Sequence, residues 1–116
     1  MNKRSVRVLN DADFYSVIQE TQGVSIVFFS SEACNSCRYW KALLGQLEDL
    51  RPTLSVFEVD AQQSGGLVQE YEVFHLPSLF VFVNGQYHAP LQCEARLDTI
   101  DHALDKLLAA PAQDAP

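Results

Sequence analysis

Basic charge is scarce in this chain: 8 Lys and Arg stand against 15 Asp and Glu in 116 residues, a formal net charge of -7. The few basic residues are scattered, so no cluster can neutralise a phosphate backbone, and nucleic-acid binding is not an expected function. An acidic surface of this kind mainly favours solubility. Long apolar runs are missing as well. The stretch over residues 24–29 is much too short to span a bilayer, and the start, MNKRSVRVLND, carries charge without developing the apolar region of a signal peptide. The chain therefore reads as soluble and cytoplasmic, with no membrane partner. Three cysteines make no even disulfide framework. No Ser-His-Asp order, phosphate-binding loop or pair of catalytic carboxylates stands out, and the charged residues read as ordinary surface.

What is present fits one globular domain, expected over residues 1–108, with an Ala/Pro-rich frayed tail over residues 109–116. With 47% hydrophobic and 20% charged residues, one core suffices, and folding should bury about two-thirds of the surface of the unfolded chain. Val6 and Val8 alternate with polar neighbours as a short strand, and Asn10 and Asp13 offer an N-cap and an acidic first turn to a helix reaching about Thr21. Gly23 ends that helix. The continuously apolar residues 24–29 suit a central strand covered on both faces. Trp40, Leu43, Leu44, Leu47 and Leu50 recur at the spacing of one buried helix face, which Pro52 stops. A strand over 54–59 and a short, weakly signalled helix over 64–71 follow. Residues 79–83 and 86–92 flank Asn84-Gly85, the strongest short hairpin signal, and Pro90 places the second strand at a sheet edge. A last helix over 97–108 buries Leu97, Ile100, Leu104, Leu107 and Leu108. The order is β-α-β-α-β-α-β-β-α, an α/β fold whose mixed central sheet has helices on both faces.

Chemistry concentrates in FFSSEACNSCRYW, where an apolar strand ends, two cysteines appear three residues apart, and a helical pattern begins. Cys34 falls at or near the first position of that helix, where unpaired N–H groups and the positive end of the helix dipole favour an anion such as a thiolate. Cys37 lies one turn later on the same face, so its sulfur can reach that of Cys34 and close a small ring reversibly. Two other readings stay open on these residues: unrelated buried thiols, or half of a zinc site. For zinc the remaining ligand candidates are His75, His88, His102 and Cys93, none of which forms a second close pair, so no metal is expected. Tyr87, Ala89, Leu91 and Cys93 share the inward parity of the last strand, which reads Cys93 as a small buried hydrophobe. His102 points away from the apolar stripe of its helix, and His75 reads as an ordinary loop residue that could border a groove.

The strand running into SEACNSCR (31–38), the strand ending FEVD (57–60), and YEVFHLPSLFVFVNGQ (71–86) together resemble the thioredoxin family over roughly residues 5–108. A C-x-x-C followed by an apolar-Pro-Ser before an NG hairpin is much more specific than C-x-x-C alone. The resemblance implies a thioredoxin fold and a thiol–disulfide oxidoreductase that acts on protein disulfides, needs no cofactor, and is recharged by a thiol reductase that the sequence does not identify. It also implies that the protein is a monomer. In that reading Cys34 is the exposed nucleophile, Cys37 the buried resolving thiol, and Ala33, Asn35 and Ser36 border the substrate. Pro77 is the family's cis-proline, which sets the backbone of Leu76 beside an extended substrate segment; an ordinary trans proline opening a strand is the alternative. Cys93 falls near the rim of the substrate groove, where it is a candidate accessory thiol.

The chain departs from the family pattern at several places. Ala33 replaces the tryptophan before the first cysteine, and Asn35-Ser36 replace Gly-Pro. Phe28 stands where the family has a buried aspartate, and about Val56 where it has that aspartate's lysine partner. Losing both charges is self-consistent for a core, because losing one would strand the other. It also predicts slower deprotonation of Cys37 unless water or another group acts as base. The second function hypothesis is accordingly a thioredoxin-fold protein-binding module or co-chaperone whose cysteines do not turn over.

Overall fold

The computed structural model describes residues 6–116. The expectations that rest on residues 1–5, the start of the domain and the charged first residues, lie outside them. Along the chain the elements are β1 (Arg7–Leu9), α1 (Phe14–Glu20), β2 (Val24–Ser30), α2 (Asn35–Leu50), β3 (Ser55–Asp60), α3 (Gly65–Glu70), β4 (Ser78–Val83), β5 (Gln86–Pro90) and α4 (Leu97–Ala109). This is the expected order, and the sheet runs β1-β3-β2-β4-β5. β1, β3 and β2 are parallel, whereas β4 runs antiparallel to β2 and β5 antiparallel to β4.

β2 lies at the centre because both of its faces are apolar. Ile26, Val27, Phe28 and Phe29 are each fully buried, and an enclosed Phe contributes about 1.5–3 kcal/mol relative to an exposed one. Successive residues feed opposite cores. Ile26 and Phe28 join Val56, Leu79 and Val81 beneath α2 and α4, while Val27 and Phe29 join Phe57, Phe80 and Phe82 beneath α1 and α3. Arg51 ties α2 to α4: its Nε meets Asp101 at 2.7 Å and its Nη2 meets Asp105 at 2.5 Å. Among the described residues no helix is long and apolar enough to cross a membrane.

Local details depart from the sequence pattern for identifiable reasons. Asp13 occupies the N-cap position of α1 without a capping bond; its carboxylate accepts instead from Asn10 N, while Asn10 Oδ1 accepts from the N–H groups of Ala12 and Asp13. Ser64 likewise leaves α3 without a side-chain cap. Asp11 supplies it from the β1–α1 loop, accepting from Gly66 N and Leu67 N at 3.2 and 3.0 Å. A side chain at position 66 would press into that carboxylate, so glycine there serves a close approach. Leu50, expected in the core, is 58% exposed, because it ends α2 at the edge of the apolar arc. Glu48 turns inward near it and accepts from Val56 N at 3.2 Å.

The largest correction concerns the last strand. It ends at Pro90, not at residue 92, and a register shift between Val81 and Phe82 pairs Val81 with Ala89 but Phe82 with Tyr87. His88 is the extra residue of this bulge, and a bulge reverses side-chain parity beyond it. Tyr87 therefore packs against Tyr71 and Phe82 on the α1/α3 face, while Ala89 is buried with Val81 on the other. The common parity expected of Tyr87, Ala89, Leu91 and Cys93 does not occur. Leu91 and Cys93 reach the α2/α4 core from the connection that follows the strand. After Ala109 the chain is exposed and without regular secondary structure, and Gln113 N donates to His88 O at 2.7 Å.

The hairpin turn is fastened to the end of α1. Asn84 and Gly85 have φ of 51° and 79°; Asn84 N donates to Gly23 O, and Gly23 N donates to Asn84 Oδ1. A Cβ on Gly85 would lie 2.8 Å from Ile18 O and 3.1 Å from Gln19 Cα, both backbone atoms. Gly85→Ala should therefore destabilise the protein by about 1–3 kcal/mol, combining a positive φ with a clash that cannot relax by a rotamer change. Urea unfolding monitored by Trp40 fluorescence checks this, with the midpoint falling and the m-value unchanged.

Candidate functional site

β2 releases the chain at Ser30, and one turn brings it to the start of α2. Cys34 N donates to Ser31 O at 3.2 Å, closing that turn, and Cys34 sits at the N-cap of α2 in extended conformation. Its sulfur accepts from Cys37 N at 3.2 Å, so an orphan donor of the helix start points at the sulfur, as a thiolate there requires. Ser36 Oγ lies 3.4 Å from the same sulfur. Cys34 and Cys37 are joined as a disulfide, with Cα atoms 5.3 Å apart. The two sulfurs are not equivalent. Cys37 is 3% exposed on the inward face of α2, whereas Cys34 is half-buried and flanked by the exposed Ala33, Asn35 and Ser36.

The Leu76–Pro77 peptide bond is cis. Phe29 pairs with Ser78 across β2 and β4, so Pro77 lies at the end of the sheet where β2 runs into the cysteines. Leu76 and Pro77 line a groove of about 650 Å³ that also takes in Trp40, Phe74, Leu91 and Cys93. His75 borders it too, and Pro116 from the final segment closes part of it. Tyr71, on the groove floor, has its phenol pushed up to about 12 by burial and by the neighbouring Glu70. Ala33, Asn35 and Ser36 are not among the lining residues, and they flank the half-buried Cys34, which does not line the groove either.

A second cleft, of about 520 Å³, opens beside Cys37 and is lined by Ser30, Glu32, Arg38, Lys41, Glu58 and Asp60 among others. Sequence reasoning passed over it by treating the charges as surface. The Glu58 side chain is only 15% exposed; it pairs with Lys41 Nζ at 3.0 Å and accepts from Ser30 Oγ at 2.5 Å. The signal was present in FEVD, where Glu58 holds an inward position next to Val56 by strand parity, and in Lys41, one helical turn past Cys37. Phe28 and Val56 are both buried in the α2/α4 core. Phe74 was missed as well: it is 87% exposed beside the groove, a position that no periodicity predicts. His88 Nε2 bonds to Leu107 O at 2.7 Å and His102 is exposed, so neither histidine joins the site.

The family model described as Thioredoxin matches residues 5–106. Thioredoxin domain-containing protein 2 from Mus musculus is 32% identical over 81 residues, 68% of this chain, although the match spans only 16% of the mouse protein. Thioredoxin from Staphylococcus aureus is 30% identical over 79 residues, covering 67% of this chain and 74% of that protein. Among solved structures, thioredoxin from Trypanosoma brucei brucei superposes with a TM-score of 0.76 over 94% of this chain and 96% of its own, at 16% identity.

Burial, helped by the adjacent Glu94 carboxylate, raises the Cys93 thiol above its ordinary range. A raised thiol pKa means less thiolate at neutral pH, so Cys93 should alkylate more slowly than free cysteine, with its rate still rising beyond pH 9. Timed iodoacetamide labelling of the oxidised protein, read by mass spectrometry, checks this, and Glu94→Gln should speed the reaction modestly.

Proposed function

The chain belongs to the thioredoxin family, and on that premise we propose that it is a thiol–disulfide oxidoreductase working as a protein disulfide reductase. The observation that carries the proposal is the asymmetry of the two sulfurs. Cys34 is accessible and receives a helix-start N–H, while Cys37 is buried directly behind it. In the reduced protein the Cys34 thiolate attacks one sulfur of a substrate disulfide, forming a Cys34–substrate disulfide and expelling the other substrate sulfur as a thiolate. Cys37 loses its proton, attacks the Cys34 sulfur, and releases the second substrate thiol as the Cys34–Cys37 bond forms. Two electrons have passed to the substrate, and a thiol reductase must return them.

Substrate recognition in this reading falls to Ala33, Asn35 and Ser36 around the sulfur, and to Leu76 and Pro77 on the groove. An extended peptide laid along the groove would pair with the backbone at Leu76 and cover Phe74. The catalytic unit is the domain over residues 1–108, acting in the cytoplasm as a monomer, with Cys93 as an accessory thiol at the groove and no cofactor. One further reading, a binding module or co-chaperone without turnover, is favoured by two observations: Phe74 is exposed beside an apolar groove, and the core beneath Cys37 holds Phe28 and Val56 with no ionisable group at either position.

Reduction of a protein disulfide by dithiothreitol, measured as turbidity of reduced insulin, separates the two. Wild type should accelerate it and Cys34→Ser should fall to the protein-free rate. Cys37→Ser should accumulate a mixed disulfide with insulin that is visible on a non-reducing gel. If wild type and Cys34→Ser are equally inactive while Cys34 and Cys37 still oxidise to a disulfide, the binding-module reading replaces this one. Phe74→Ala should raise KM for insulin about fivefold, the loss of ~1 kcal/mol of contact, while leaving the rate with a small disulfide such as cystamine unaltered.

A further inference from the structure

A buried thiol that acts as a nucleophile must pass its proton to an acceptor. If the oxidoreductase reading holds, on which this inference rests, Cys37 meets that requirement in the resolving step while 3% exposed. The core beneath α2 offers no acceptor at Phe28 or Val56, which are apolar and buried. The cleft beside Cys37 does. The charged groups lining it are Arg38 and Lys41 from α2, Glu58 and Asp60 from β3, and Glu32 from the turn, with Ser30 and Ser31 at the end of β2 and Val8 from β1. Arg38 and Lys41 are cations and cannot accept. Glu32 is exposed on the turn, and Asp60 Oδ1 already accepts from Gln62 N at 2.9 Å.

Glu58 is held differently. Its carboxylate is anchored on one oxygen by Ser30 Oγ at 2.5 Å and on the other by Lys41 Nζ at 3.0 Å, with the side chain 15% exposed. Lys41 follows Cys37 by one turn on the same face of α2, so the ion pair fastens Glu58 to the part of the helix that carries the buried sulfur. Strand pairing sets Glu58 beside Phe28, on the sheet face that α2 covers. We propose that Glu58, positioned by Lys41 and Ser30, accepts the Cys37 proton through water in this cleft. As Cys37 attacks the Cys34 sulfur of the mixed disulfide, the S–S bond to the substrate breaks, the electron pair leaves with the substrate thiolate, and the proton passes from Cys37 to the Glu58 carboxylate. Glu58 then returns it to solvent or to the departing thiolate.

The two half-reactions can be timed separately with glutathione disulfide as the probe. Reduced protein is mixed with it, quenched in acid, and the Cys34–glutathione and Cys34–Cys37 forms are counted by mass spectrometry across pH 4–9. Glu58→Gln should lower the ratio of resolution to capture about tenfold or more near neutral pH, with capture itself unchanged. Glu58→Asp, which keeps the carboxylate, should restore most of that ratio. Lys41→Met, which removes the ion pair that holds the carboxylate at the cleft, should lower the ratio as well. A purely packing role for Glu58 would let Glu58→Gln, a near-isostere, resolve at the wild-type rate. Absence of the Cys34–glutathione form in the Cys37→Ser protein overturns the oxidoreductase reading and this inference with it. Normal capture with an unchanged resolution profile in Glu58→Gln overturns the role of Glu58 alone.

Discussion

Everything at the site hangs from the end of β2. This strand is hydrogen-bonded along one edge to β3 and along the other to β4, and its four middle residues are fully enclosed between two helical layers. A strand held on four sides has no freedom to shift its exit point. The turn at Ser31 and the first residue of α2 therefore inherit a fixed position, and Cys34 with them. α2 is held in turn by Trp40, Leu43, Leu44 and Leu47 on the sheet and by Arg51 on α4. The burial of Cys37 follows from the same inward face of the helix. The inequality of the two sulfurs is thus a product of core packing and needs no separate device.

Two openings lie near that fixed pair. On one side is a groove of mixed lining containing the cis Leu76–Pro77 bond, Trp40 and the exposed Phe74. On the other lies a charged cleft holding the Lys41–Glu58 pair. The core between them has Phe28 and Val56, so those two positions hold no ion pair. A buried pair must offset a large desolvation cost, and a core of Phe and Val avoids it. The Lys41–Glu58 pair sits at a cleft edge, where Lys41 remains half in solvent and the cost is smaller. The opposite core also reaches the site: Tyr71, Phe80 and Tyr87 belong to its aromatic cluster and line the groove from beneath.

The order of elements, the central place of residues 24–29, the hairpin at Asn84-Gly85 and the cysteines at the start of a helix were all legible in one dimension. Each depends on a local property: an unbroken apolar run, a turn that needs positive φ, or a spacing of one helical turn. The pairing of Cys34 with Cys37 and the cis Leu76–Pro77 bond were equally legible, because they are carried by short motifs. What was misread or left unread depends on partners distant in sequence. The cap of α3 comes from Asp11, more than fifty residues upstream. The bulge at His88 reversed a parity argument that assumed a regular ladder, and so changed how Cys93 reaches the core.

The sequence by itself determined the architecture and the identity of the sulfur pair, because periodicity and helix-start electrostatics act over a few residues. Only the tertiary structure decided that a carboxylate on β3 and a lysine on α2 meet beside the buried thiol, and that Phe74 stands exposed over the groove. The reason is physical. An ion pair across two elements and the exposure of a loop side chain are set by how packed layers align, and no local spacing encodes that alignment.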